Sequence, residues 1–220
     1  MQCAVRLFLV LFGLAFVGLG YYVGVSLAGA ARAGADRAEG LAPADAAALA
    51  AADAGAELLV EGTISPANPA RFRDFVAYVR EEFRGSDSNG DERWAEDERV
   101  TPPLLIEARG QARLANADYA LEGPHERWQE EGLNWSSRTQ EGTKRYRGLV
   151  AGGPIIAIGT VVPGAEGNEL RAELVYGGTR EAYVATQRGV ARLLPAVGVA
   201  IAAAGALLTL VAAWVLRRWR

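Results

Sequence analysis

The chain has 220 residues, of which 26 are acidic and 23 basic, and its formal net charge is −3. All of the acidic residues lie between Asp36 and Glu181, so the middle of the chain is acidic and both ends are basic. Because binding to a phosphate backbone requires a basic stripe, this distribution excludes nucleic acid as the expected partner. Cys3 is the single cysteine, which excludes a disulfide framework and a cysteine-based zinc site.

The first long apolar stretch covers residues 7–31 and follows a short N-terminal tail, residues 1–6. Two interpretations compete: a signal peptide cleaved after the small residues 28–30, or an uncleaved anchor. The stretch is longer than the roughly 7 to 15 apolar residues of a signal peptide, which favours a transmembrane helix. Gly20 and Gly24 would allow this helix to pack closely against small residues of a second span, namely Gly198, Ala202 and Gly205.

Residues 32–57 are rich in alanine and are interrupted by glycine, which predicts a stalk of one or two short helices. Pro43 suits the first turn of the second helix. The globular domain is expected to begin at Leu58, where alternating side chains predict a strand that Pro66 closes.

Residues 58–177 are predicted to form a β-rich domain. Residues 72–83 fit a strand or a helix, but Asn89-Gly90 is a strong hairpin signal, so we expect two strands with Trp94 beginning the second. Residues 101–121 should continue the meander as two strands around a turn at Gly110. Residues 122–142 are interpreted as a long loop with a helical turn near Trp128, and residues 155–162 and 169–176 as two further strands.

Residues 178–192 predict an amphipathic helix with Arg180, Arg188 and Arg192 on one face. This helix runs into a second apolar stretch, residues 193–216, and a basic tail, residues 217–220. The arginines could bind anionic lipid or simply extend to the head groups. The predicted fold is therefore two transmembrane helices flanking one β-rich α+β domain in a multi-pass cell-membrane protein. The signal-like start and the basic tail favour cytoplasmic termini and an extracytoplasmic domain.

The sequence predicts no catalytic residue, metal site or cofactor. His125 is the only histidine and no serine near it lies in a nucleophile motif. Asp87, Asn89 and Asp91 have the alternate spacing of a calcium loop, but Glu92 stands where that loop requires glycine.

Five segments in order carry a family resemblance: LLVEGTISP, FVAYVREEF, PPLLIEARGQARL, YRGLVAGGPIIAIGTVV and AYVATQRGVARLLPAV. Their pattern resembles the GIDE, or "beside a membrane" (BAM), domain of membrane-anchored RING-type ubiquitin ligases and their prokaryotic relatives. In ligase members a zinc-binding RING follows the second span, whereas this chain is expected to end at Arg220. The resemblance therefore implies a binding or sensing module, and no catalytic residue of the ligases is carried over.

The candidate contact residues are Trp94, Trp128, Trp135 and Arg145, although large aromatic residues are common in protein cores. The expected partners are the lipid bilayer and a membrane protein. Two other functions remain open. One is an enzyme or enzyme subunit, either a component of a RING-type ubiquitin transferase or an unrecognised hydrolase. The other is a structural protein that organises membranes, including a homo-oligomer formed through the spans.

Overall fold

The computed structural model describes residues 2–123, 126–130 and 142–218. It divides into a helical unit, Met1–Gly40 with Val184–Arg220, and a β-rich unit, Leu41–Tyr183. Two long apolar helices thus flank a β-rich domain, as the sequence predicts. His125 and Trp135, which the sequence singled out, lie outside the described residues.

The first helical segment extends through the predicted span into the predicted stalk. It comprises α1 (Gln2–Tyr21), a π-helical segment (Tyr22–Leu27) and α2 (Ala28–Gly40) without a break. The alanine-rich part after residue 31 is helical, as predicted for the stalk, and α2 buries Ala31, Ala35 and Ala38 along one face. Alanine has the strongest intrinsic helix preference, and the helix ends at a glycine.

The long C-terminal helix forms as one unit. This helix, α4 (Arg180–Arg218), joins the predicted juxtamembrane helix and the second span. Thr179 caps its start, since the Thr179 Oγ1 accepts a hydrogen bond from the backbone N–H of Ala182 at 3.2 Å. By length and composition, the helical stretches Phe8–Gly40 and Arg180–Trp214 are each able to cross a membrane.

The two long helices approach each other closely at small residues. A Cβ placed on Gly20 would lie 2.5 Å from the Gly198 carbonyl oxygen and 2.6 Å from the Ala202 nitrogen. A Cβ on Gly24 would lie 3.3 Å from the Gly198 Cα. The predicted packing of Gly20 and Gly24 against the small residues of the second stretch is therefore confirmed, and it occurs within one chain.

The β-rich unit contains one short helix and eleven strands in its described part. They are β1 (Pro43–Ala44), α3 (Ala46–Ala51), β2 (Glu57–Ile64), β3 (Phe75–Ser86), β4 (Glu92–Val100), β5 (Leu105–Glu107), β6 (Gln111–Arg113), β7 (Ala120–Glu122), β8 (Glu126–Gln129), β9 (Lys144–Val150), β10 (Pro154–Gly164) and β11 (Gly167–Tyr176). The first sheet has the order β6-β5-β2-β10-β11-β7, with β1 paired to β2. The second sheet has the order β4-β3-β9-β8.

One apolar core joins both sheets. Val60, Ile106 and Ile155 enter it from the first sheet, and Val79 and Leu149 from the second. All five are at most 3% exposed. Because β9 belongs to the second sheet and β10 to the first, the turn between them carries the chain from one sheet to the other.

The predicted stalk is partly wrong. Residues 41–57 belong to the β-rich unit, where Leu49 of α3 is 2% exposed and lies in the core. Pro43 pairs with Leu59 in a parallel ladder and does not begin a helix. Asp45 caps α3 instead, since its Oδ1 accepts from the Ala48 N–H at 2.9 Å. A single apolar side chain among alanines is a weak signal for burial.

The hairpin of β3 and β4 is confirmed around Asn89-Gly90, where Gly90 has a φ of +87° that favours glycine. Asp87 closes this turn, because its Oδ1 accepts from the N–H groups of Asn89 and Asp91 at 2.8 and 3.0 Å. This oxygen therefore stabilises the turn.

Two other expectations within the domain are wrong. The strands β5 and β6 do not continue the meander; β5 pairs with β2 in the first sheet, because Leu104 and Ile106 are needed in the core between the sheets. The segment around Trp128 is the strand β8 and not a helical turn. Its backbone groups pair with those of β9, with Trp128 opposite Tyr146.

Candidate functional site

The second sheet carries three of the four predicted contact residues. Trp94 lies on β4, Trp128 on β8 and Arg145 on β9. Gln129 stands opposite Arg145, and Trp128 stands opposite Tyr146. Because neighbouring side chains on a strand point to opposite faces, Arg145 and Trp128 lie on different faces of the sheet. We call these the Arg145 face and the Tyr146 face.

On the Arg145 face, Arg145 is held from two sides. Its guanidinium carbon lies 4.1 Å from the centre of the Trp94 ring, and its Nε donates to Glu81 Oε2 at 2.8 Å. Trp94 is itself fixed, because it packs on Phe83 with ring centres 5.3 Å apart and its Nε1 donates to Glu92 Oε2 at 2.9 Å. Two of the predicted contact residues, Trp94 and Arg145, therefore form a cation–π contact with each other.

A pocket of about 490 Å³ opens beside Arg145. We call it the Arg145 pocket. It is lined by Glu81, Arg127, Trp128, Gln129, Arg145, Tyr146 and Arg147. Three guanidinium groups and one carboxylate give this lining a net positive charge inside an acidic domain.

Sequence analysis missed Arg127 and Arg147. Arg145 and Arg147 are separated by one residue, so a strand places both on one face. That signal was present in the sequence. Arg127 joins them only because β8 pairs with β9 in the register that sets Arg127 opposite Arg147. Because residues 122–142 are predicted from the sequence as a loop, this pairing could not be predicted.

On the Tyr146 face, Trp128 belongs to an aromatic cluster. The rings of Phe72 and Tyr146 stack with centres 4.1 Å apart, and Trp128 lies 5.5 Å from Phe72. The Arg73 guanidinium covers the Trp128 ring at 4.5 Å. Trp128 is only half-buried, so it both stabilises the sheet and keeps part of its ring accessible.

An ion network lies next to this cluster. Lys144 Nζ contacts Glu82 Oε2 and Asp97 Oδ2, each at 2.6 Å, and Arg80 Nε contacts Asp97 Oδ1 at 2.9 Å. Burial opposes ionisation of Asp97, but hydrogen bonds from Arg80 and Lys144 outweigh it and hold the pKa of this carboxyl below its usual value. The charges of this face are therefore balanced against one another, unlike those of the Arg145 pocket.

The Asp97 contacts predict a pH-dependent stability. Because the pKa of Asp97 is lower in the folded state than in the unfolded state, its carboxylate stabilises the protein at pH values above the ordinary aspartate pKa of 3.8. This contribution is lost as the pH falls through the folded-state pKa. At pH 6 the Asp97→Asn variant should be less stable than the parent by about 1 kcal/mol. The difference should shrink toward zero in acid, as thermal unfolding followed by near-ultraviolet circular dichroism would show.

The control for this prediction is Asp74→Asn, which changes an exposed aspartate that makes no ion pair within the described ranges. It should differ little from the parent protein at any pH. An Asp97→Asn difference that stays constant from pH 6 to pH 2 would contradict the assigned role of the ion network.

The three arginines predicted for the membrane surface do not form one equivalent set. Arg188 contacts Asp36 Oδ1 at 2.6 Å and Glu39 Oε2 at 2.8 Å, so its charge is paired within the helical unit. The backbone N–H of Arg180 donates to Glu61 Oε1 at 3.0 Å at the start of α4. Arg192 is exposed. Arg192 is thus the member of the set that best fits the predicted role.

Among the described residues, no group of three or more histidine, cysteine, aspartate or glutamate side chains could hold a metal ion. The chemistry of the second sheet is that of guanidinium groups, aromatic rings and paired carboxylates. Comparisons of the chain with protein-family models, curated proteins and solved structures find no match, so the geometry of the site is the basis for its assignment.

Proposed function

We propose that this protein is a membrane-anchored, non-catalytic binding module of the GIDE/BAM type, whose β-rich domain binds its ligand in the Arg145 pocket. In this proposal the two long helices cross the cell membrane, both termini are cytoplasmic and the domain is extracytoplasmic. The resemblance in the order of the sequence segments and the apolar helices on both sides of the domain support it.

The observation that carries the proposal is the Arg145 pocket. Its volume of about 490 Å³ falls in the range of about 300 to 1,000 Å³ that is usual for small-ligand sites. A guanidinium group offers several N–H donors in a fixed fork and no acceptor, so the three groups suit the binding and orientation of an anionic ligand. The contacts of Arg145 with Trp94 and Glu81 fix one of these groups in advance, which lowers the entropic cost of binding.

The helix pair supports an anchoring role. Close approach at Gly20 and Gly198 is the kind of contact that membrane helices use, because small residues let their backbones pack tightly. The Gly20 face of the first helix is occupied by α4 of the same chain. That face is therefore not free to join a second copy at the same time, which makes a homo-oligomer through it the weaker alternative.

Photo-crosslinking in cells tests the proposed function. A photoreactive residue introduced at Gln129, which is exposed at the pocket, should give a discrete adduct on irradiation. The adduct should be lost when Arg127→Glu is added, because this substitution reverses a charge of the lining. Mass analysis of the adduct would identify a protein, a lipid or a small molecule as the ligand.

Arg171 provides the matched control position, since it is exposed on β11 of the other sheet. A photoreactive residue there should give no such adduct. Equal labelling at the two positions, or no adduct at Gln129 in the folded protein, would show that the pocket is not the binding site.

A further inference from the structure

We infer that the Arg145 pocket recognises a phosphate group on a small organic molecule. This inference rests on the proposed binding function and adds the chemical class of the ligand. Arg127 and Arg147 stand directly opposite each other on β8 and β9. Like charges in such a cross-strand position destabilise a sheet, so the arrangement is favourable when an anion lies between them.

The carboxylate of the pocket does not neutralise this pair. Glu81 is engaged with Arg145 through the 2.8 Å contact to the Arg145 Nε. Neither Arg127 nor Arg147 contacts a carboxylate anywhere in the described ranges. The lining therefore presents a surplus of two positive charges from Arg127 and Arg147.

Arg147 gives a second, independent observation. Its Nε is buried and has no hydrogen-bond partner among the described residues. A buried donor without a partner is unfavourable in a folded protein. The donor is on a residue that lines the pocket, so a ligand oxygen could satisfy it.

Phosphate fits these features better than a single carboxylate. A guanidinium group offers several donors in a fixed plane that match two oxygens of a phosphate. A phosphate monoester carries close to two negative charges at neutral pH, which equals the surplus of the lining. The volume of about 490 Å³ leaves room for an organic part beside Gln129. The same phosphomonoester chemistry occurs in soluble metabolites and in the head group of phosphatidic acid.

The test uses the full-length protein in nanodiscs at constant ionic strength, with inorganic phosphate as the first probe. Binding is measured by isothermal titration calorimetry, with chloride replacing phosphate as the reference. Arg127→Gln should weaken phosphate binding at least ten-fold, and so should Arg147→Gln. Arg171→Gln removes an exposed arginine of the other sheet and should leave binding unchanged. Because Arg127 is exposed on the short strand β8, its substitution keeps the test valid even if Arg147→Gln fails to fold.

A second arm distinguishes the sources of the phosphate. The photoadduct at Gln129 is measured in phosphatidylcholine nanodiscs, with and without phosphatidic acid, and with inorganic phosphate as competitor. Competition by free phosphate supports a soluble ligand, and a new lipid adduct that depends on Arg127 supports a head group. A different result would overturn the phosphate inference and leave the binding function intact. In that result calorimetry detects no phosphate binding, and the Gln129 adduct forms but is unaffected by inorganic phosphate and by phosphatidic acid. The absence of both would overturn both proposals.

Discussion

Replacing Gly20 with leucine is expected to break the packing of the two long helices. A Cβ added at this position would lie 2.5 Å from the Gly198 carbonyl oxygen and 2.8 Å from the Ala202 Cβ, so the backbones must separate. Overpacking of this kind destabilises by about 3 kcal/mol. The measurement is bridging by a short bis-maleimide between cysteines that replace Asp36 and Arg188, in a Cys3→Ser background. The yield should fall close to the level of the single-cysteine proteins.

Gly18→Leu is the matched control for this change. It lies on the same helix two positions away, and a Cβ there has no atom within 4 Å. The same side chain is added, so hydrophobicity and helix preference change equally. Bridging should remain at the parental level. Equal loss in the two variants, or no loss in Gly20→Leu, would show that the close approach of the helices does not hold them together.

Replacing Asn68 with alanine is expected to be the most damaging polar substitution of the β-rich unit. Asn68 is 7% exposed and its amide bridges a turn to β5. Its Nδ2 donates to the carbonyl oxygens of Ser65 and Leu105, and its Oδ1 accepts from the Leu105 N–H, each at 2.8 Å. Removing the amide deletes three hydrogen bonds and leaves the Leu105 N–H without this partner, while the two carbonyl oxygens keep only their backbone donors. This should destabilise the domain by about 3 kcal/mol.

The corresponding measurement is thermal unfolding of the full-length protein in detergent, followed by circular dichroism of the β-sheet signal. The midpoint should fall by roughly 10 °C for Asn68→Ala. Asn89→Ala removes the same amide from an exposed turn and should shift the midpoint by less than about 2 °C. Similar shifts in the two variants would mean that the buried contacts of Asn68 do not stabilise the fold.

Local patterns predicted those elements whose signal is contained in a short segment. The hairpin around Asn89-Gly90 depends on a turn that only a few residues form easily, and the strand at residues 155–162 is a short apolar run between breakers. The close packing at Gly20 could be anticipated because Gly20 and Gly198 both lie in long apolar stretches. In each case the interactions that determine the structure lie within one element or between the two long apolar helices.

The remaining features depend on partners far away in the sequence. The segment β8 forms a strand because β9 provides hydrogen-bond partners for its backbone. Its own charged sequence shows no hydrophobic periodicity that would predict a strand. Leu49 is buried because the first sheet leaves room for α3, although its neighbours are alanines. The pairing of Arg188 with Asp36 joins residues from opposite ends of the chain. The phosphate inference has the same origin, since Arg127 and Arg147 meet only through strand register.

The order of strands in the first sheet also sets the order in which the domain can fold. Leu59 on β2 pairs with Ile158 on β10, so β2 cannot complete its pairing until the much later strand β10 has been synthesised. Pairings between distant segments form slowly, because a long loop must close before they gain any contact energy. The β3–β4 hairpin needs only local closure and can form first. Until β10 is synthesised, the backbone edge of β2 that pairs with it stays open, and an unpaired strand edge can pair with another chain.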